Sequence, residues 1–166
     1  LSVDRSLAGV VRAGLESRLS FRVPGSVRSL DVKVGDRVGR GQVLARLDPT
    51  DFELRVEEAK AALAQAQASL RRAEADFDRV RALYENNNAS KAELDASRAA
   101  AESAQAQVQA VTKQLEQANQ QLGYTVLRAP TAGAIASVSV EVNENVQAGQ
   151  VICLLIAGGQ SEVVVS

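Results

Sequence analysis

Between about residues 48 and 121 the apolar side chains recur with a seven-residue period. Val56, Leu63, Leu70, Phe77 and Tyr84 stand seven apart, and Ala59, Ala66, Ala73 and Val80 follow the first four at a distance of three. That is the a/d seam of a coiled coil, sustained over about four heptads. A second stretch repeats the register in Leu94, Ala101, Val108, Leu115 and Leu122, interleaved with Ser97, Ala104, Val111 and Ala118. Between the two, Asn86-Asn87-Asn88 interrupts the pattern with poor helix formers that tolerate the left-handed backbone of a tight reversal. The spacing predicts two antiparallel helices folded about Ala89. Val56 then pairs with Leu122, Leu63 with Leu115, Leu70 with Val108, Phe77 with Ala101 and Tyr84 with Leu94. Thinner layers set Ala59 on Ala118, Ala66 on Val111, Ala73 on Ala104 and Val80 on Ser97. Slipping one arm by a turn would set large on large and leave alanines facing a void, so the layers define the register. At 1.5 Å per residue an arm of roughly 37 residues is about 55 Å long, and a hairpin of that length is expected to project from its domain.

End signals bracket both helices. Asp48-Pro49-Thr50-Asp51 supplies an N-cap carboxylate at Asp48, a proline in the first turn and a second carboxylate at N3. The first helix is expected to stop near Glu85. Ser90-Lys91-Ala92-Glu93 has capping-box spacing, which opens the second helix at Ser90, and Gly123 is placed to end it as a C′ residue. Outside this region the pattern is that of short strands. Residues 1–23 alternate weakly around Gly9 and Gly14 and read as two strands, Pro24-Gly25 marks a turn, and Val27 to Leu47 are strung between Gly35, Gly39 and Gly41. Strand patterns return at Val126-Leu127 and from Ile135 to Ile156; Gly158-Gly159 reads as a hinge and residues 162–166 as a further strand. The expected division is 1–12 and 161–166 as leads to an adjoining β-barrel, 13–47 and 123–160 as two β halves, and 48–122 as the helical hairpin.

Composition narrows the chemistry. The chain has 166 residues, 46% of them hydrophobic but only 3% aromatic, which favours slender helix packing over a thick core. A formal charge of −1 gives no footprint for nucleic acid. No apolar run approaches the roughly 20 residues of a membrane span, and no leader peptide is evident. With no histidine or methionine in the chain, metal and acid–base chemistry lose their usual ligands and bases. The one cysteine, Cys153, lies in the run Val151 to Ile156 and reads as a buried small hydrophobe. No phosphate-binding glycine loop precedes a helix, so neither an enzyme nor a cofactor-binding protein is expected.

Residues 25–47 and 133–155 match at a constant offset of 108. Gly25 falls on Gly133, Val27 on Ile135, Ser29 on Ser137, Val32 on Val140, Val34 on Val142, Val38 on Val146, and Gly41-Gln42-Val43-Leu44 on Gly149-Gln150-Val151-Ile152. Such self-similarity marks repeated structural units. Neither unit can bury its own apolar face, whereas the pair can form a flattened β-sandwich with a pseudo-twofold axis. The pattern G-x-V-x-x-L-x-V-x-x-G-D-x-V-x-x-G-Q-x-L from Gly25 to Leu44, with its second copy, resembles the two halves of a biotinyl/lipoyl domain. Carrier domains of that fold place a modified lysine between the halves, where this chain has the helical hairpin. A sandwich split in this way resembles the periplasmic adaptors, or membrane fusion proteins, of bacterial tripartite efflux pumps.

Arg79, Leu83 and Ser90 reproduce the R-x3-L-x6-S spacing of adaptors that engage TolC-type outer-membrane channels. Two of them also have a plainer reading, Arg79 as a solvated side chain and Ser90 as an N-cap, which fits Leu83 less well. Leu83 lies at a g position, where a large aliphatic residue is partly exposed unless a partner covers it. The resemblance implies an α+β fold, a barrel-sandwich hybrid interrupted by a coiled-coil hairpin. It also implies a periplasmic protein attached to the inner membrane outside this stretch, a transporter partner of the resistance-nodulation-division (RND) type, and self-association into a trimer or hexamer. Adaptors of ABC or major-facilitator exporters fit the same architecture. A coiled-coil protein with no transport partner would have an unspecific tip. A carrier domain would need an accessible lysine between the halves, and the nearest, Lys33, is expected inside a strand.

Overall fold

The computed structural model describes residues 15–158. The chain divides into two compact units, one formed by Pro49–Gly123 and the other by the segments on either side of it.

The flanking segments form eight strands: β1 (Glu16–Ser20), β2 (Gly25–Leu30), β3 (Arg37–Val38), β4 (Val43–Leu47), β5 (Val126–Arg128), β6 (Gly133–Val138), β7 (Asn145–Val146) and β8 (Val151–Ala157). They make two four-stranded sheets with the orders β1-β8-β6-β3 and β5-β4-β2-β7, and every pairing is antiparallel. The sequence repeat explains this topology. Shifting by the offset of 108 carries β2 onto β6, β3 onto β7, β4 onto β8 and β1 over β5, which turns one sheet into the other. Each sheet draws two strands from each half, so neither half contains a complete sheet. Phe21, Val27, Leu44 and Leu47 of the first half and Ile135, Val146, Ile152, Cys153 and Leu155 of the second are almost wholly buried, as are Val32 and Val140. Burying a side chain of this size is worth roughly 1.5–3 kcal/mol, a gain that depends on both halves being present.

Turn chemistry repeats along with the strands. In the first half the amide of Asp36 donates to the Lys33 carbonyl at 3.1 Å and that of Gln42 to the Gly39 carbonyl at 3.2 Å. The counterparts are Glu144 to Glu141 and Gln150 to Gln147, both 3.2 Å. All four turns have a left-handed third residue, Gly35, Gly41, Asn143 and Gly149, with φ of 93, 80, 70 and 82°. A type II turn requires that conformation, and asparagine is the residue that tolerates it best after glycine. In every one, the fourth side chain reaches back to the first amide: Asp36 to Lys33, Gln42 to Gly39, Glu144 to Glu141 and Gln150 to Gln147, at 2.8–3.0 Å.

The repeat extends further than its sequence signature. The amide of Gly41 donates to the Ala129 carbonyl at 2.7 Å and that of Gly149 to the Phe21 carbonyl at 2.9 Å, so Phe21 and Ala129 are equivalent although their side chains are unrelated. Of the two strands expected in residues 1–23, the described residues hold one, β1. Lys33 stands at the first corner of a turn rather than inside a strand, because Gly35 ends the extended run. The expected leads at 1–12 and 161–166 and the strand over 162–166 lie outside the described residues, as does Gly159 of the expected hinge.

The other unit holds α1 (Thr50–Glu85) and α2 (Lys91–Gly123), packed against each other. Their buried and half-buried positions reproduce the seam. On α1 they are Phe52, Val56, Ala59, Ala62, Leu63, Ala66, Leu70, Ala73, Phe77 and Val80. On α2 they are Leu94, Ser97, Ala101, Ala104, Val108, Val111, Thr112, Leu115, Ala118, Gln121 and Leu122. Three details differ from the sequence reading. Pro49, not Asp48, holds the N-cap place of α1, already at helical angles (φ −86°, ψ −5°), while the Asp48 amide is tied at 2.9 Å to the Ser26 carbonyl of β2. Gly123 is the last residue of α2 and is not among the left-handed glycines, so it extends the helix instead of terminating it as C′. Tyr84, expected in the last seam layer, is 38% exposed, one residue before α1 ends at Glu85. No helix among the described residues is long and apolar enough to cross a membrane.

Candidate docking site at the hairpin tip

The tip is built from two helix ends and the three-asparagine turn between them. At the end of α1, Asn86 is the C-cap and Asn87 takes φ 55°. The Asn87 amide donates to the Tyr84 carbonyl at 3.0 Å and the Asn88 amide to the Leu83 carbonyl at 2.7 Å. This is a Schellman pair with asparagine in the place glycine usually takes. The Asn86 side-chain amide adds a bond to the Ala82 carbonyl at 3.1 Å. Three of the carbonyls that α1 leaves without helical partners are thereby satisfied.

At the start of α2 the capping box forms in full. The Ser90 amide donates to Glu93 Oε2 at 2.7 Å, and the Glu93 amide donates to Ser90 Oγ at 3.1 Å. Accepting the Ser90 amide holds the Glu93 carboxyl below the usual glutamate range, and the Ser90 hydroxyl lowers it further. Each end of the turn is therefore fixed to its own helix, residues 86–88 to α1 and Ser90 to α2.

Leu83 is 38% exposed, as its g position predicts, and Tyr84 beside it is equally open. Arg79, one turn earlier on the same face of α1, is exposed and donates from Nη2 to Asp76 Oδ1 at 3.1 Å. It lines a shallow groove with Arg72, Asp76 and Val80 of α1 and Ser97 and Ala100 of α2. Arg79 and Leu83 thus share one helix, and the turn brings Ser90 to the same end of the unit. The sequence reading did not anticipate an exposed Tyr84, nor the ring of Phe77 with the guanidiniums of Arg81 and Arg98 each 5.6 Å from its centroid. Arginines beside an aromatic seam position were the available signal.

Nothing at the tip resembles a catalytic constellation. Among the described residues no group of three or more His, Cys, Asp or Glu is placed to hold a metal ion. Cys153 is 1% exposed in the sandwich core, where desolvation pushes its thiol pKa up.

A family profile described as the barrel-sandwich hybrid domain of RND membrane fusion proteins matches residues 17–157. The chain belongs to the membrane fusion protein, or periplasmic adaptor, family. Among solved structures, it is similar to one from Bacteroides eggerthii DSM 20697 described as an efflux transporter, at 30% identity and a TM-score of 0.65, covering 90% of this chain and 41% of that one. MacA from Actinobacillus actinomycetemcomitans gives 26% identity, a TM-score of 0.58, and coverage of 90% and 53%. The membrane fusion protein Spr0693 from Streptococcus pneumoniae R6 shares the fold at 20% identity and a TM-score of 0.69, with coverage of 91% and 63%. The chain therefore spans between about two fifths and two thirds of the length of these adaptors and relatives. The interrupted sandwich and two-helix unit are the architecture that this family has in common.

Proposed function

We propose that this chain is the segment of a periplasmic adaptor that reaches a TolC-type outer-membrane channel, with an RND transporter as its inner-membrane partner. Arg79, Leu83 and Ser90 make the contact with the channel, and several copies stand side by side as a trimer or hexamer around a duct through which substrate passes unchanged. The observation that carries this reading is Leu83. A leucine in the last turn of α1 is left open to solvent beside a turn whose two ends are each capped, which leaves an apolar side chain for a partner to cover. The RND assignment is supported by the description of the family profile. An adaptor of an ABC or major-facilitator exporter is the second reading, favoured by the likeness to MacA and EmrA, which are not RND adaptors.

The test is complementation of an adaptor-deletion strain with Leu83→Glu or Leu54→Glu. Leu54 is 58% exposed and lies in the first turns of α1, far along the helix from the tip, so it controls for added charge on an open leucine. Loss of export with the first variant and retention with the second is expected. Equal activity of both, at matched protein levels, would refute docking through Leu83.

A further inference from the structure

The candidate docking residues are divided between two helices, so their mutual placement depends on how α1 and α2 are held together near the tip. The seam is thin there. Ser97 turns its hydroxyl back to the Leu94 carbonyl of its own helix at 2.9 Å and offers nothing across the seam to Val80. In the last layer Leu94 of α2 is buried, but Tyr84 of α1 is 38% exposed. Among the described residues, no hydrogen bond or ion pair passes from α1 to α2 between residues 77 and 98. The Schellman pair and the capping box each close on their own helix. One directional contact does cross: the guanidinium of Arg98, on α2, lies 5.6 Å from the centroid of the Phe77 ring, on α1. That is within the range of a cation–π interaction.

The partners of that ring differ. Arg81 also approaches Phe77 at 5.6 Å, but it belongs to α1 and is engaged by Asp78 at 3.4 Å, so it covers the ring without linking the helices. Arg98 has no ion pair among the described residues, which leaves the ring as its specific partner. Arg98 lies two helical turns from Ser90, and Phe77 lies two residues from Arg79 and six from Leu83. A shift of one arm against the other at this point would alter the spacing between Ser90 and both α1 residues.

We propose that Phe77 and Arg98 are positioning residues for tip docking. The cation of α2 clamps the ring of α1 and sets the register at which Ser90 stands to Arg79 and Leu83. This rests on the tip being the docking site, and the experiment separates the two claims. Nitroxide labels on Ala82→Cys and Ala92→Cys, both at exposed sites on opposite arms, report the spacing by double electron–electron resonance, while Cys153 stays shielded in its core. Affinity of the full-length adaptor is measured in parallel against a purified TolC-type channel in detergent. Arg98→Gln is expected to broaden the label distances and to weaken channel binding about threefold, the size of one exposed cation–π contact. Arg98→Lys, which keeps the cation, is expected to recover both. Unchanged distances in Arg98→Gln overturn the lock. Weaker binding with unchanged distances also overturns it, since Arg98 would then touch the channel itself. Broadened distances with full affinity overturn the role in docking. If the unaltered adaptor shows no binding, the tip reading fails together with this one; if it binds and Arg98→Gln binds equally well, only the positioning role is lost.

Discussion

Gly25 and Gly133 occupy equivalent places in the two halves of the sandwich, yet the space around them differs. A Cβ on Gly133 would run into the backbone carbonyl of Ile156, whereas one on Gly25 meets only the Leu47 side chain, tightest at its Cδ1 at 3.3 Å. Gly133→Ala is therefore expected to lower the unfolding midpoint in urea by the equivalent of about 1–3 kcal/mol. Gly25→Ala should stay within about 1 kcal/mol of the parent, helped by the entropy that alanine removes from the unfolded chain. Comparable losses for the two would contradict the packing described for β6 and β8. Glu93 makes a second prediction at this scale. Its pKa is depressed in the folded chain, so its contribution is complete above the ordinary glutamate range and is lost as pH falls through the lowered folded value. The protection factor of the Ser90 amide, its exchange rate relative to the intrinsic rate at each pH, should fall on acidification over that interval. Glu93→Gln, which keeps a capping-box acceptor without a titrating proton, should abolish the pH dependence. A Ser90 protection factor that does not change with pH in the parent would show that the carboxylate does not hold it.

At the scale of elements, the seam of the helical unit alternates thick and thin positions, and its most buried small residue is Ala66, 6% exposed, with Val111 at 5% on the other arm. Ala66→Leu has no space to fill, and a loss of about 1–3 kcal/mol in helical stability is expected, read by thermal unfolding at 222 nm. A stable or stabilised variant would mean that the register differs. Much of this unit was legible beforehand because a seven-residue repeat leaves few other ways to bury its apolar stripe. The parts that were not legible are local. Whether Asp48 or Pro49 takes the N-cap place is decided by the bond from the Asp48 amide to Ser26, a contact from a strand more than twenty residues away. Gly123 looked like a terminator by residue type alone, but no left-handed backbone is needed where α2 ends. At the tip, the spacing of Arg79, Leu83 and Ser90 was readable as a pattern. The contact of Arg98 with Phe77 depends on interhelical register and rotamers, which no single-helix pattern encodes.

In the sandwich, the offset repeat was legible from Gly25 onward because four turns of one type impose the same residues twice. It faded before Gly25, where backbone pairing alone makes Phe21 equivalent to Ala129. The consequence for the molecule is that two incomplete halves, exchanging β1 and β3 for β5 and β7, build one core. Cut at Asn87 and expressed as two chains, the protein is expected to assemble from its fragments on mixing, while each fragment alone should fail to show the dispersed methyl NMR signals of a packed sandwich. A folded sandwich in either fragment by itself would contradict that account. The function proposed for this chain requires that its tip meet a channel, and site-specific photo-cross-linking in living cells tests that proposal most directly. With a photoreactive amino acid at Leu83, the account predicts a covalent adduct between the full-length adaptor and the outer-membrane channel, and none from the same probe at Leu54. Adducts from Leu83 only to the inner-membrane transporter, or none to the channel under conditions of active export, would contradict it.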